Sequence, residues 1–308
     1  MSLTFTRDTD VYVQVGNDYY KLHVSNIEFS QTFEQDSIEQ KTIDSPHKLI
    51  EGSSITKANP ANFAITIPMV DESSTYQHIL LKMLLENTGS TLNTFTLWID
   101  PSTADTATNL RRMYQLSNCV LTGGSFQISR NALMKIEFNG QASQLTRVNF
   151  INFNIGSYTA FDNLTYGVSK ITAVTIDNTL LQNVFGVALE IQNDIEWTEN
   201  STLQNSLNTT IYTQTNYPGA FVLKSRSVAG SITQYVGQAE HSYINIQTWK
   251  ENIAIRIQSG LAANNYQLDA QLTPCSFTNR VQPTELYTQA YDYRLIGHPS
   301  NLNTLFTY

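Results

Sequence analysis

Few residues of this 308-residue chain have the types and spacing that a catalytic or metal-binding site requires. Cys119 and Cys275 are too few for a disulfide framework and lack metal-ligand spacing. No Gly-rich phosphate loop, nucleophile elbow or HExxH motif is present. The histidines are scattered along the chain: His23, His47, His78, His241 and His298. The sequence therefore predicts a protein that is not an enzyme and has no catalytic, cofactor or metal site.

The informative residues are carboxylates on one side of predicted strands. Apolar and polar residues alternate in Val24 to Asp36 and in Val187 to Thr198, which predicts half-buried strands. The polar side of both stretches is acidic and contains no Lys or Arg, whereas an ordinary solvated sheet face usually mixes signs. A face of one sign indicates a use for negative potential. The acidic positions expected there are Glu28, Glu34, Asp36, Glu190, Asp194 and Glu196, with Glu137 and Asp292 on a later strand.

These strands belong to an internal repeat. Val24 to Gln40 aligns with Ala188 to Gln204 at an offset of 164 residues, which pairs Ile27 with Ile191 and Phe33 with Trp197. Further on, Cys119 aligns with Cys275 at an offset of 156. The length also suits two domains of about 150 residues each. We therefore expect a duplication, with domains at residues 1–148 and 149–308.

Each half is predicted to contain strands and one helix, which makes the fold all-β with a minor helical part. The helix follows Asp71, where Ser74 and Gln77 suit a capping box, and it ends at Gly89. A less regular stretch, Gly237 to Asn252, corresponds to it in the second half. Gly123 and Gly124 are expected in a hairpin turn. Further strands are predicted at 63–70, 94–99, 114–121, 133–139, 221–223, 231–236, 254–258, 268–277 and 285–295.

Long polar segments, Lys41 to Asn62 and Asn205 to Gly219, separate the strands at similar places in each half. Loops of this length inside compact domains are usually functional or ordered by a partner.

Composition narrows the function further. Charged residues are only 14% of the chain and the formal net charge is −8, which disfavours a protein that holds nucleic acid. Met1 to Asp10 has no apolar signal region and no window suits a membrane span, so we expect folding in a cytoplasm and no membrane partner.

The opening MSLTFTRDTDVYV, the order of sandwich strands and helix, and the duplication resemble the tail tube proteins, or major tail proteins, of long-tailed non-contractile phages (siphophages). The closest resemblance is to the branch with two tandem tube domains, each a β-sandwich that contributes to a barrel. It implies homotrimeric, pseudo-hexameric rings that stack into a hollow tube through which DNA is ejected. The implied partners are tail tip or initiator proteins, terminator proteins and a tape measure protein in the lumen. The implied location is the virion tail, after assembly in the host cytoplasm.

Carried over to this chain, the resemblance makes the acidic strand faces candidates for the lumen wall. The two long polar segments and an N-terminal arm, Met1 to Tyr20, become candidates for contacts between rings. The proposed anchors in the two segments are Ile43, Leu49, Ile50, Tyr212 and Tyr217. Another β-rich virion module, or a carbohydrate-binding sandwich that uses some of the sixteen Tyr residues, remains the alternative.

Overall fold

The structure, a computed structural model, describes residues 9–40, 49–68, 79–88, 91–101, 112–129, 132, 134–149, 158–159, 170–198, 217–237, 253–262, 265–283, 285–297 and 302–307. Most of these residues lie in β-strands. The predicted all-β fold with a minor helical part is confirmed.

The described residues up to 149 form β1 (Asp10–Val15), β2 (Asp18–Leu22), β3 (Asn26–Ser30), β4 (Phe33–Gln40), β5 (Leu49–Ala58), β6 (Ala61–Pro68), α1 (Ile79–Leu85), β7 (Asn87–Thr88), β8 (Thr91–Leu92), β9 (Phe95–Asp100), β10 (Arg112–Ser129), β11 (Lys135–Ala142) and β12 (Gln144–Asn149). The later residues form β13 (Tyr158–Thr159), β14 (Lys170–Ile176), β15 (Thr179–Leu180), β16 (Val184–Thr198), β17 (Ala220–Tyr235), β18 (Ile253–Ala262), β19 (Asn265–Pro283), β20 (Tyr287–Leu295), a 3₁₀ helix (Leu302–Leu305) and β21 (Phe306–Thr307).

One long antiparallel sheet runs through both halves of the chain. Its strand order is β3, β6, β11, β10, β16, β17, β20, β19. The halves meet where β10 pairs with β16. A single row of facing residues crosses the sheet through Asn26, Thr66, Glu137, Ser125, Glu190, Ala229, Arg294 and Ser276.

A second layer covers the apolar face of this sheet. In the first half β2, β1, β9, the start of β10, and β12 pair in that order, and in the second half β15, β14, β18, the start of β19, and β21 do so. Helix α1 packs with them, and all its residues except Lys82 are buried. Burial of apolar surface between the layers supplies the main stabilisation. The fully buried side chains include Ile65, Leu80, Leu84, Leu97, Phe126 and Phe138.

The strand pairing of the first half recurs in the second, and the two cysteines mark equivalent places. Each lies at a register shift of a long strand, and its thiol donates a hydrogen bond to the carbonyl oxygen three residues earlier. Two residues after each cysteine, the pairing across the sheet also corresponds. In the first half Leu121, Gly140, Phe63 and Phe29 face one another in turn, and in the second half Phe277, Tyr293, Gly230 and Leu189 do so.

Phe29 and Leu189 therefore hold equivalent places, 160 residues apart. The predicted offset of 164 is wrong by four residues, so Ile27 does not correspond to Ile191. Because four is an even number, the shifted alignment still matches inward with inward positions and outward with outward positions.

Three predicted irregular segments are wrong. Within Lys41 to Asn62, β5 pairs with β4 in a two-stranded hairpin, and β6 begins at Ala61. Gly123 and Gly124 lie inside β10 rather than in a turn, and a Cβ at Gly124 would collide with the Leu84 side chain. Residues 10–20 of the expected arm are core strands, with Val13 fully buried.

The predicted helix is present as α1, but its expected start signals at Ser74 and Gln77 lie outside the described residues. The expected end at Gly89 is wrong, because α1 ends at Leu85 and Asn87–Thr88 forms β7. The second predicted helix lies outside them from residue 238 onward. The two predicted strands at 221–223 and 231–236 are parts of the single strand β17.

Candidate assembly surfaces

The long sheet turns a polar face away from the core. In β11, Ile136 and Phe138 are buried while Lys135, Glu137 and Asn139 are exposed. Because side chains alternate along a strand, outward positions of neighbouring strands form one continuous surface. We call this surface the outward face of the long sheet.

The outward face is concave over the middle strands. A cavity of about 560 Å³ lies over β10, β16 and β17, and another of about 430 Å³ lies over β3, β6 and β11. The lining of the larger cavity contains no aromatic side chain, so it offers no ring on which a sugar would stack. Its outward side chains include Ser125, Asn139, Glu190, Gln192, Asp194, Ser225 and Ser227.

Four of the predicted acidic residues lie on the outward face without a described ion-pair partner: Glu28, Glu137, Glu190 and Asp194. All four are exposed. Neutral neighbours hold two of them, since Asn26 donates a 3.3 Å hydrogen bond to Glu28 and Gln192 donates a 2.7 Å hydrogen bond to Glu190.

Two other predicted acids are paired with cations from neighbouring strands. Lys224 Nζ lies 2.7 Å from Glu196 Oε2, and this hydrogen bond raises the pKa of Lys224. Arg280 Nε lies 3.1 Å from Asp292 Oδ2. Lys135 and Arg294 are also exposed on this face. The outward face is therefore mixed in sign, because adjacent strands in space supply cations that the two predicted stretches lack.

The remaining two acids lie on β4, which pairs with β5 rather than with the long sheet. Glu34 is exposed and faces Lys57 across the hairpin, and Asp36 faces Ser54. Nothing is described of the Asp36 side chain.

The seam between the halves, where β10 pairs with β16, contains a buried polar network. Arg226 donates hydrogen bonds to Leu84 O at 2.6 Å, to Leu85 O at 3.3 Å and to Asn193 Oδ1 at 2.8 Å. Asn193, which is 3% exposed, donates in turn to Leu121 O at 3.0 Å. Burial lowers the pKa of Arg226 to about 10, so the guanidinium stays protonated at neutral pH.

The sequence prediction omits both Asn193 and Arg226. A usable signal is present, because each interrupts an apolar alternation at a core-facing position, where an isolated polar group is costly unless it is hydrogen-bonded.

The long sheet ends in two edges that no described strand covers. β3 pairs only with β6 in the described part of the chain, and Ser276 to Pro283 of β19 pairs only with β20. The matching edge of β10 is covered by β16. Burial reflects this difference. Phe126 faces Ile136, which lies four residues before Gly140, and Val281 faces Gln289, which lies four residues before Tyr293, so Phe126 and Val281 hold equivalent places. Phe126 is fully buried, whereas Val281 is 39% exposed.

The end of β16 and the residues just before β17 contact the first half of the chain. Trp197, near the end of β16, packs edge-on against Phe221 at 5.4 Å and donates a 2.9 Å hydrogen bond to Gln141 of the first half. Tyr217 is half-buried before β17, and the following carbonyls of Pro218 and Gly219 accept hydrogen bonds from Ser143 and Asn118.

Of the other predicted ring-contact residues, the structure describes only the backbone of Leu49 and Ile50. Leu49 and Ile50 begin β5, where they face Gln40 and Glu39, but their side chains are not described. Ile43 and Tyr212 lie outside the described residues.

The described residues were expected to contain no metal site. They contain no group of three or more His, Cys, Asp or Glu side chains placed to hold a metal ion. Burial raises the pKa of Cys119 far above its ordinary value and that of Cys275 to about 12, so both thiols are protonated at neutral pH. None of the described helices has the length and apolar character needed to span a membrane.

At the two sheet edges that no described strand covers, backbone groups are available for pairing with another strand. Comparison with solved structures finds similarity to a chain of the anti-feeding prophage (AFP) baseplate, a 6-fold symmetrised cryo-EM structure. The match has a TM-score of 0.37 and 10% identity, and covers 49% of this chain and 98% of that chain. No curated protein matches.

The chain belongs to the bacteriophage baseplate tube protein family, whose model matches residues 1–307. It is therefore a structural protein of a phage tail or baseplate. The family supports the expected tube protein, but it does not support the narrower assignment to the siphophage major tail proteins.

Proposed function

We propose that this chain is the ring-forming subunit of a phage tail tube, and that DNA passes through the ring during ejection. The observation that supports this is the seam between β10 and β16, which already joins one repeat to the next edge to edge. The same kind of edge remains uncovered at β19 and at β3. Exposed strand edges invite pairing with another chain, and copies joined head to tail form a ring when the rotation closes.

The proposed ring contains three copies. The repeated pairing supports two tube domains per chain, at 1–148 and 149–308, and the resemblance to tube proteins implies rings of six domains. Three chains then give a homotrimer with pseudo-sixfold symmetry.

In such a ring the concave outward face lines the lumen. Glu28, Glu137, Glu190 and Asp194 then point towards the passing DNA, while Lys224 and Arg280 are occupied by carboxylates. A wall with excess negative charge repels phosphate, so DNA slides without forming ion pairs.

Rings stack through the β4–β5 hairpin and the 205–219 segment. In the virion the stack meets tail tip or initiator proteins at one end and terminator proteins at the other, with the tape measure protein inside before ejection.

Native mass spectrometry and negative-stain microscopy of the purified protein test this proposal. Particles in multiples of three copies, with a central hole, are expected. A protein that stays monomeric at all concentrations and salt conditions, including in the presence of its tail partners, contradicts it.

A further inference from the structure

We infer that copies of this chain join through antiparallel pairing of β19 with β3 of the next copy, in one register, across an apolar seam. This inference rests on the proposed ring. In the inferred arrangement, the contact between copies differs in chemistry from the contact between the halves.

The register follows from the seam inside the chain. There Phe126 faces Leu189 and Ser125 faces Glu190. The equivalent of Leu189 is Phe29, as established from the ladders, and the equivalent of Phe126 is Val281. Repeating the internal pairing places Val281 opposite Phe29 of the next copy.

On the outward face the same register places Arg280 opposite Ser30 and Gln282 opposite Glu28 of the next copy. Arg280 is then a diagonal neighbour of Glu28, within reach of a long side chain. The uncovered β19 edge thus brings a cation to a β3 edge that carries a carboxylate.

The two seams differ on the core side. Inside the chain, Asn193 faces Arg226 and both belong to the buried polar network. The same offset of 160 places Phe33 where the second half has Asn193, and Phe33 faces Ala58. Phe33 is 46% exposed and Val281 is 39% exposed in the single chain. Pairing between copies covers both side chains, and burial of such apolar area favours association.

Engineered disulfides test the register, because Cys119 and Cys275 are fully buried and do not compete. The test variant combines Ser30→Cys with Arg280→Cys. Its matched internal control combines Ser125→Cys with Glu190→Cys, which occupy the same relative places within one chain. The off-register control combines Asn26→Cys with Arg280→Cys.

After mild oxidation, non-reducing electrophoresis should show dimers and a closed trimer for the test variant, a cross-linked monomer for the internal control, and little product for the off-register pair. Preferential cross-linking of the Asn26 pair overturns the register. Rings visible by microscopy without any cross-link in the test variant overturn the seam but leave the ring intact. Absence of rings in the unmodified protein is instead a failure of the proposed function.

A charge substitution tests the apolar character. Val281→Asp and Phe33→Asp should each raise the concentration needed for ring assembly at least tenfold. Leu180→Asp, at a comparably exposed apolar position in β15 of the second layer, should leave this concentration unchanged. Equal effects of all three overturn the apolar seam.

Discussion

Arg226 donates a 2.6 Å hydrogen bond to the backbone carbonyl of Leu84, although the two residues lie 142 positions apart in sequence. Leu84 belongs to the last turn of α1, where carbonyl groups have no partner within the helix. A cation is also favourable at a helix C-terminus because of the helix dipole. The second half of the chain therefore completes a helix of the first half.

Removing this cap should destabilise the whole chain. Arg226→Gln loses hydrogen bonds from a charged donor to buried carbonyls, and we expect a loss of roughly 1.5–3 kcal/mol in the free energy of unfolding. Urea denaturation followed by circular dichroism measures it. Arg294→Gln, at an exposed position of the outward face, is the matched control and should change the value by less than about 0.5 kcal/mol. Equal losses in both variants would contradict the capping role.

Stability should fall in acid partly because of Asp269, which is buried. Arg256 donates hydrogen bonds to its two oxygens at 3.0 and 2.7 Å, and Gln258 donates a third at 3.2 Å. Burial alone would raise the pKa of Asp269, but the hydrogen bonds from Arg256 and Gln258 outweigh burial and lower it.

A carboxyl whose pKa is lower in the folded state stabilises the fold above its unfolded pKa of about 4, and this contribution is lost as the pH falls through the folded pKa. Asp269→Asn should therefore be less stable than the parent at pH 7, and the difference should shrink below about pH 4. Urea titrations at both pH values measure this, with Asp18→Asn as an exposed control. A difference that is independent of pH would show that the charge of Asp269 contributes nothing.

The lumen assignment predicts a charge effect on DNA. Glu137→Lys combined with Glu190→Lys should leave rings intact but make them retain DNA, and phage carrying the change should eject more slowly. Asp18→Lys with Glu285→Lys makes the same change of charge at exposed positions that lie outside the strands of the long sheet. Gel retardation and single-particle ejection assays read the outcome. If both double variants bind DNA equally, the outward face is not the lumen wall.

The β4–β5 hairpin is predicted to connect rings. Replacing residues 39–51 with Asn-Gly keeps the pairing next to Phe33 but removes the far end, so isolated rings should accumulate instead of tubes. Insertion of Gly-Ser between Gly16 and Asn17, in the exposed β1–β2 turn, controls for general disturbance. Electron microscopy distinguishes the two states, and tubes of normal length from the shortened variant would exclude this role.

Several elements of the fold follow from sequence alone. The alternation in β16 predicts its inward and outward faces, because Leu189 and Ile191 have no other way to be buried together. The predicted match of the two cysteines also holds, since both lie at the register shift of a long strand and donate the same hydrogen bond.

Other elements could not be predicted from local pattern. Gly123 and Gly124 look like a turn, but the second of them is required because α1 approaches β10 closely. The β4–β5 hairpin pairs with no other described strand, and the β5 sequence, Leu49–Ala58, has no regular alternation of apolar and polar residues. The sign of the outward face depends on cations such as Lys224 and Arg280, which reach it from neighbouring strands outside the two acidic stretches.

The central claim is that three copies close a ring by pairing β19 with β3. Cryo-electron microscopy of assembled rings tests it most directly, by counting chains and tracing the sheet across each contact between copies. The predicted result is three chains per ring, with Val281 opposite Phe29 at every contact and the outward face towards the lumen. A ring of six chains, or one in which β3 and β19 remain exposed to solvent, would contradict it.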